Sequence, residues 1–190
     1  MRHPVKAVHF QLTGRCNLAC SFCGQNKGML GTGREELPVG FWLRCAEETE
    51  PDAPVTFWGG EPLLYPGFEE LAERLSASRH PLEIVTNGTL AGRHAETLCR
   101  RFRRIFISVD GPRELHDAVR GKGVFDRVRA SLEKLRERRG RLVFLTTVSD
   151  ANVERMAELP ELLAPLGPDE IILQQLMYLT GAEIAAYRNY

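Results

Sequence analysis

The chain has 190 residues, 43% of them hydrophobic, with 25 Lys plus Arg against 25 Asp plus Glu, which suits one domain with a real core at the usual ~100–200 residues per domain. The balanced charge offers no electrostatic footprint for nucleic acid and no basic face for a membrane surface, and no apolar run approaches the ~20 residues of a membrane span. The amino terminus, MRHPVKAVHFQLTG, lacks the apolar stretch of a signal peptide, so the expected location is cytoplasmic.

In chain order, short β-branched or aromatic runs alternate with helical periodicity. Val8–Thr13 reads as a first strand. Val39, Leu43 and Ala46 mark a helix with Pro38 near its start. Val55–Trp58 is a second strand ending in Gly59-Gly60, followed by a helix whose apolar stripe is Phe68, Leu71, Ala72 and Leu75. Leu82–Thr86 is a third strand ending in Asn87-Gly88, and Leu90, Ala95 and Leu98 fit a helix behind Thr89 as N-cap. Ile105–Val109 is a fourth strand ending in Asp110-Gly111, and Phe125, Val128, Leu132 and Leu135 form the next helical stripe. Leu142–Val148 is a fifth strand, with a helix beginning at Val153, Met156 and Ala157 behind Asn152 and divided by Pro160. Glu170–Leu176 is the sixth. Six strongly apolar strands in β/α alternation predict an α/β fold with a parallel sheet covered by helices. Six repeats are two short of a closed barrel, so the expected architecture is a partial (β/α)6 barrel, TIM-like and open on one side. In such folds the site lies at the carboxyl ends of the strands, which here read CNLACSFC, GGE, TNG and SVDG.

Five cysteines, three of them within the eight residues 16–23, point to metal or redox chemistry in a reducing compartment. Cys16, Cys20 and Cys23 supply three thiolates to one centre, and thiolates are the usual ligands of iron–sulfur clusters. Three ligands leave one iron of a 4Fe-4S cluster free to bind a substrate, where a closed electron-transfer cluster wants four. A structural zinc site also wants four ligands, and the nearest further candidate is His9, inside the first strand. Cys45 and Cys99 lie in helical patterns and read as small buried hydrophobes.

C-x3-C-x2-C with an aromatic, Phe22, before the last cysteine and behind a first strand resembles the radical SAM superfamily signature. The resemblance implies that S-adenosylmethionine binds the open iron through the amino and carboxylate groups of its methionine part. One electron from the reduced cluster then cleaves a carbon–sulfur bond, and the 5′-deoxyadenosyl radical takes a hydrogen atom from a substrate. Gly59-Gly60-Glu61-Pro62 resembles the family's GGEP motif, which contacts the methionine amino group. Glycines allow close backbone approach and a carboxylate pairs with an ammonium, although Gly-Gly-Glu-Pro is also a turn sequence. Ser108 and Asp110 match the segment that, in similar enzymes, meets the methionine carboxylate and the ribose; Asp-Gly is equally a turn. Asn87 ends a strand facing the same region, with the same alternative. Residues 108–128 are similar to a loop and helix start in the subgroup of peptide-modifying enzymes, sulfatase-maturing enzymes and the molybdenum-cofactor cyclase. There Arg120 contacts a carboxylate, orders the loop, or is simply solvated, while His116 and Asp117 read as structural.

The resemblance spans residues 8–178. It departs from the pattern at strand five, which lacks a Gly-x-Ile-x-Gly-x-x-Glu motif, so Thr147 and Gln174 are only candidates for adenine or ribose contacts. Residues 1–190 are expected to form one core domain, with the subgroup's C-terminal extension absent or truncated. The resemblance further implies a flavodoxin or ferredoxin-type electron donor and, by subgroup, a peptide or protein substrate. The alternatives are a non-catalytic iron–sulfur electron-transfer or binding protein and a zinc-stabilised α/β domain.

Overall fold

The computed structural model describes residues 5–24 and 35–175. Its strands are β1 (Val8–Thr13), β2 (Val55–Gly59), β3 (Leu82–Thr86), β4 (Phe102–Ser108), β5 (Arg141–Val148) and β6 (Glu170–Gln175). The helices are α1 (Val39–Glu47), α2 (Phe68–Ala77), α3 (Ala95–Arg101), α4 (Arg113–Arg120), α5 (Val124–Lys134) and α6 (Leu159–Leu163). All strand pairs are parallel, and the order in space is β1-β2-β3-β4-β5-β6. Strand order that never reverses, combined with right-handed crossovers, puts every connecting helix on one face and lets the sheet curl around the other. The result is the expected partial barrel.

Period-2 alternation sorts the side chains between those faces. Phe10, Leu12, Val55, Phe57, Leu82, Ile84, Ile105, Ile107, Leu142 and Phe144 are buried beneath the helices. Each such side chain contributes ~1.5–3 kcal/mol of burial. The α2 stripe of Phe68, Leu71, Ala72 and Leu75 packs into this layer, and Phe68 stacks on Phe102 with ring centroids 5.9 Å apart. Cys45 and Cys99 sit half-buried against the same core. On the concave face the alternate positions are looser: Trp58 is 41% exposed.

Several local expectations change. Thr89 does not cap a helix. Its N–H and hydroxyl both donate to Asn87 Oδ1, at 3.0 and 2.6 Å, and α3 starts six residues later. Asn152 precedes a 3-10 stretch (Val153–Glu158) and does not cap it. Its amide donates to Asp110 O and Thr147 O, both at 2.9 Å, tying the end of β5 to the β4–α4 loop. Pro160 does divide its segment, falling in the first turn of α6. β4 begins three residues before the expected Ile105, because buried Phe102 anchors an arginine-rich start that hydrophobic pattern alone hides. The helix start expected within residues 108–128 resolves into two helices, α4 and α5. Leu176, expected in the sixth strand, lies outside the described residues.

Candidate active site

One cavity of about 270 Å³ opens at the carboxyl ends of β1–β4. Nine of the residues picked out by sequence line it together: Cys16, Cys20, Phe22, Cys23, Gly59, Gly60, Asn87, Ser108 and Arg120. Cys16 is exposed, Cys23 half-buried and Cys20 buried. A turn closed by Cys23 N–H to Cys20 O, at 3.0 Å, and Ser21 N–H to Val119 O, at 2.9 Å, pins the cysteine loop to the end of α4. Burial pushes the Cys16 and Cys20 thiols up, and at Cys20 the Arg120 charge acts against that.

The Gly59-Gly60 pair is required by close approach, but to the chain itself. Gly59 has φ +143°, and a Cβ on it would fall 2.4 Å from Thr13 O; one on Gly60 would fall 2.2 Å from Arg15 O. Gly60 N–H donates to Thr13 O at 2.9 Å and Glu61 N–H to Arg15 O at 2.8 Å. The β2 turn is thereby clamped against the segment that leads into the cysteines, leaving bare backbone on the cavity side.

Glu61 and Asp110 stand behind the cavity wall, both with no exposed surface. The Glu61 carboxylate accepts from Thr86 Oγ1 at 2.7 Å, Asn87 N–H at 2.8 Å and Leu63 N–H at 3.1 Å. Burial pushes its carboxyl above the usual range, against those hydrogen bonds. The sequence suggested a carboxylate facing an ammonium; here the group is a strut joining the ends of β2 and β3. Asn87, held by that strut, donates to Asn17 Oδ1 at 2.9 Å, and its amide nitrogen lies 3.9 Å from Cys16 Sγ.

Asp110 is likewise occupied. Arg120 donates to it through Nε at 2.5 Å and Nη2 at 3.3 Å, and Thr147 N–H donates at 2.9 Å. Arg120 is 8% exposed, lines the cavity and lies over the Phe22 ring, 5.4 Å from its centroid. The solvated-surface reading of Arg120 is thus replaced by a buried ion pair. His116 is fully buried, accepting from Asp110 N–H through Nδ1 at 3.2 Å. Asp117 accepts from the N–H groups of Gly123 at 2.7 Å and Phe125 at 2.8 Å, capping α5 from outside. Both thus bond to the backbone of residues 110–125.

Leu18, Trp58, Val85 and Thr86 also line the cavity. Sequence reasoning passed over them; for Trp58 the usable signal was its alternation with buried Phe57, which turns it to the concave face. Thr147 and Gln174, paired across β5 and β6, do not line the cavity.

The donor set suits a multi-iron cluster. Among the described residues no trio of His, Cys, Asp or Glu converges closely enough to hold a single ion. Cys16, Cys20 and Cys23 all line the one cavity, and thiolates are the usual ligands of an iron–sulfur cluster. Beside them lie a hydroxyl, a guanidinium and bare backbone, groups that fit the carboxylate and ammonium of an amino acid.

Comparison with known proteins gives the family. The profile of the Radical SAM superfamily matches residues 10–163. The chain is 30% identical over 162 residues to the sporulation killing factor maturation protein SkfB of Bacillus subtilis, covering 83% of this chain and 39% of that one. It is 29% identical over 184 residues to the pre-heme d1 synthase of Dinoroseobacter shibae, covering 92% and 44%. The chain therefore spans less than half the length of these two relatives. In structure it is similar to native anSMEcpe with bound AdoMet and a Kp18Cys peptide, with a TM-score of 0.74 at 22% identity, covering 94% of this chain and 54% of that one. Streptococcus suis SuiB bound to its precursor peptide SuiA matches with a TM-score of 0.75 at 20% identity, covering 95% and 41%. Members of the family use a 4Fe-4S cluster and S-adenosylmethionine. By profile, by relatives and by fold, the chain belongs to the radical SAM superfamily.

Proposed function

We propose that this chain is the core of an enzyme that generates a substrate radical from S-adenosylmethionine. One observation carries the reading: a single cavity joins three cysteines to Gly59-Gly60, Ser108 and Arg120. Cys16, Cys20 and Cys23 would hold three irons of a 4Fe-4S cluster and leave the fourth to the amino and carboxylate groups of S-adenosylmethionine. Once bound and reduced by one electron, that pair would supply the hydrogen-abstracting radical chemistry, and the hard step would belong to it.

The protein's part is placement. Bare backbone at Gly59-Gly60 receives the ammonium, and the Ser108 hydroxyl with the Arg120 guanidinium receives the carboxylate. Glu61 and Asp110 act one step back. Glu61 holds Asn87 against the cysteine loop, and Asp110 holds Arg120 at the wall. Phe22 gives Arg120 an aromatic face to lie on and helps exclude water. Trp58 stands at the mouth, presenting a broad apolar surface to whatever enters.

The substrate is a peptide or protein. Support comes from relatives named as maturation proteins and from structural neighbours solved with peptides, and from a barrel left open on one side. The electron enters from a flavodoxin or ferredoxin-type donor, in the cytoplasm; among the described residues no helix is long and apolar enough to cross a membrane.

The test is anaerobic reconstitution with iron and sulfide, then dithionite and S-adenosylmethionine, with 5′-deoxyadenosine measured by chromatography. The reading expects 5′-deoxyadenosine from the native chain and none from Cys20→Ala. A reducible cluster that releases none would favour an electron-transfer protein, and a colourless zinc-bound chain would defeat both.

A further inference from the structure

The amino ends of β4 and β5 carry a second cavity of quite different chemistry. It measures about 560 Å³ and is lined by six arginines, Arg100, Arg101, Arg103, Arg104, Arg139 and Arg141, with Phe102 and Gly140 between them. Across the whole chain the charges cancel, so this is a strong local excess. Three carboxylates reach it. Glu96 pairs with Arg100 at 3.0 Å, Glu73 with Arg101 at 3.3 Å, and Glu170 with both Arg104, at 3.1 Å, and Arg141, at 3.7 Å. Arg103 and Arg139 are exposed and, among the described residues, their guanidinium groups have no hydrogen bond or ion pair. Six guanidiniums against three carboxylates leave the hollow net positive, and an incoming anion offsets that excess. Arginine, with its planar fork of donors, also matches carboxylate in a bidentate way.

The floor narrows the choice of anion. A Cβ on Gly140 would lie 2.1 Å from Phe102 O and 2.7 Å from Arg103 O, so the β4 backbone runs hard against Gly140 beside the cavity. α3 ends at Arg101, so its C-terminal carbonyls, the negative end of the helix dipole, lie here too. A compact phosphate pressed into the hollow would meet those oxygens, whereas helix N-termini are what phosphates favour. An extended acidic peptide suits the arginines better, because it presents several carboxylates along its length and can offer a separate one to each exposed guanidinium.

We propose that the arginine cavity docks an acidic segment of the peptide substrate, an inference that rests on the peptide reading above. The same strand reaches both sites: Phe102 lines this cavity and Ser108 lines the cysteine cavity. Six residue steps at ~3.3 Å put them ~20 Å apart. The peptide is therefore held far from where it reacts, and an extended linker needs at least about six residues between the acidic segment and the reacting residue.

The test is fluorescence anisotropy of a fluorescein-labelled octaglutamate peptide with the full chain. Saturable binding that weakens with salt is expected, with at least a tenfold loss in the Arg103→Gln/Arg139→Gln double variant. Neither side chain holds the fold, so the double variant keeps the native unfolding temperature, and the exposed Arg44→Gln control binds as the native chain does. No binding, or equal binding by the double variant, overturns the proposal. So does tripolyphosphate binding more tightly than octaglutamate through Arg103 and Arg139, which would make the cavity a compact-polyanion site. The assay needs no cluster and no turnover. Its failure is therefore separate from a failure to form 5′-deoxyadenosine.

Discussion

The Asp110–Arg120 pair offers the sharpest test of how the site is built. Asp110 has no exposed surface and Arg120 is 8% exposed; the carboxylate also accepts from Thr147 N–H at 2.9 Å. Asp110→Asn keeps the volume and one acceptor oxygen but turns an NH2 toward a donor and leaves a buried guanidinium without its counter-charge. Breaking a buried pair from one side costs ~3–5 kcal/mol. Arg120 borders the cavity and recovers some hydration there, so the lower end applies, about 3 kcal/mol. For a chain of this size each 1 kcal/mol moves Tm by ~2–4 °C, so Asp110→Asn lowers Tm by roughly 6–12 °C. Urea and thermal unfolding of the cluster-free chain read this directly. Arg120→Met in the Asp110→Asn background removes the stranded charge and restores part of the loss. A loss under about 1 kcal/mol for Asp110→Asn, or no recovery in the double variant, refutes the buried-pair account.

Other expectations follow the same contacts. Glu61→Gln replaces one acceptor oxygen with a donor facing the Asn87 N–H or the Thr86 and Leu63 groups, costing ~1–3 kcal/mol in urea unfolding; a neutral result means that the strut does not exist. Gly60→Ala drives a Cβ to within 2.2 Å of Arg15 O, so the turn shifts and the reconstituted protein retains less iron, read by metal analysis against the native chain. His116 is held neutral by burial, its pKa lowered from 6.5 to about 4. Between those values the unfolded chain binds a proton that the folded chain does not, so stability falls as pH drops from 6.5 to 4, by about 3 kcal/mol in total. Glu61, raised by burial, acts in the opposite sense, and the difference between the native chain and His116→Asn across that range isolates the histidine. Trp58→Ala leaves Tm close to native, since the ring is 41% exposed, but weakens ligand or substrate binding by ~0.5–1.5 kcal/mol, measured by calorimetry; a large stability loss would place the ring in the core instead.

The six strands were legible because buried parallel strands are short apolar runs closed by turn residues, and the site because its residues cluster at strand ends. What sequence could not read were orientations and partners. Glu61 and Asp110 were visible as carboxylates at strand ends. Their bonding partners lie as far as 26 and 37 residues away, and no local pattern tells a carboxylate facing a ligand from one facing inward. α4 (RELHDAVR) was signalled by resemblance and not by periodicity, because its buried face is His116, Val119 and Arg120, mostly polar types that hydrophobic periodicity reads as exposed. The early start of β4 was hidden in the same way by Arg103 and Arg104. Thr89 and Asn152 are both good cap residues by type; each instead bonds within its own loop or across to a neighbouring one, which only the fold decides.

The central claim is that the three cysteines hold a cluster with one iron open toward Ser108 and Arg120. Electron paramagnetic resonance of the reconstituted, dithionite-reduced chain, recorded with and without S-adenosylmethionine, tests it most directly. The account predicts a reduced-cluster signal that changes when S-adenosylmethionine is added, and a weaker change in Arg120→Met at the same ligand concentration. A cluster signal identical with and without S-adenosylmethionine would mean that no iron is open to it, and would contradict the account.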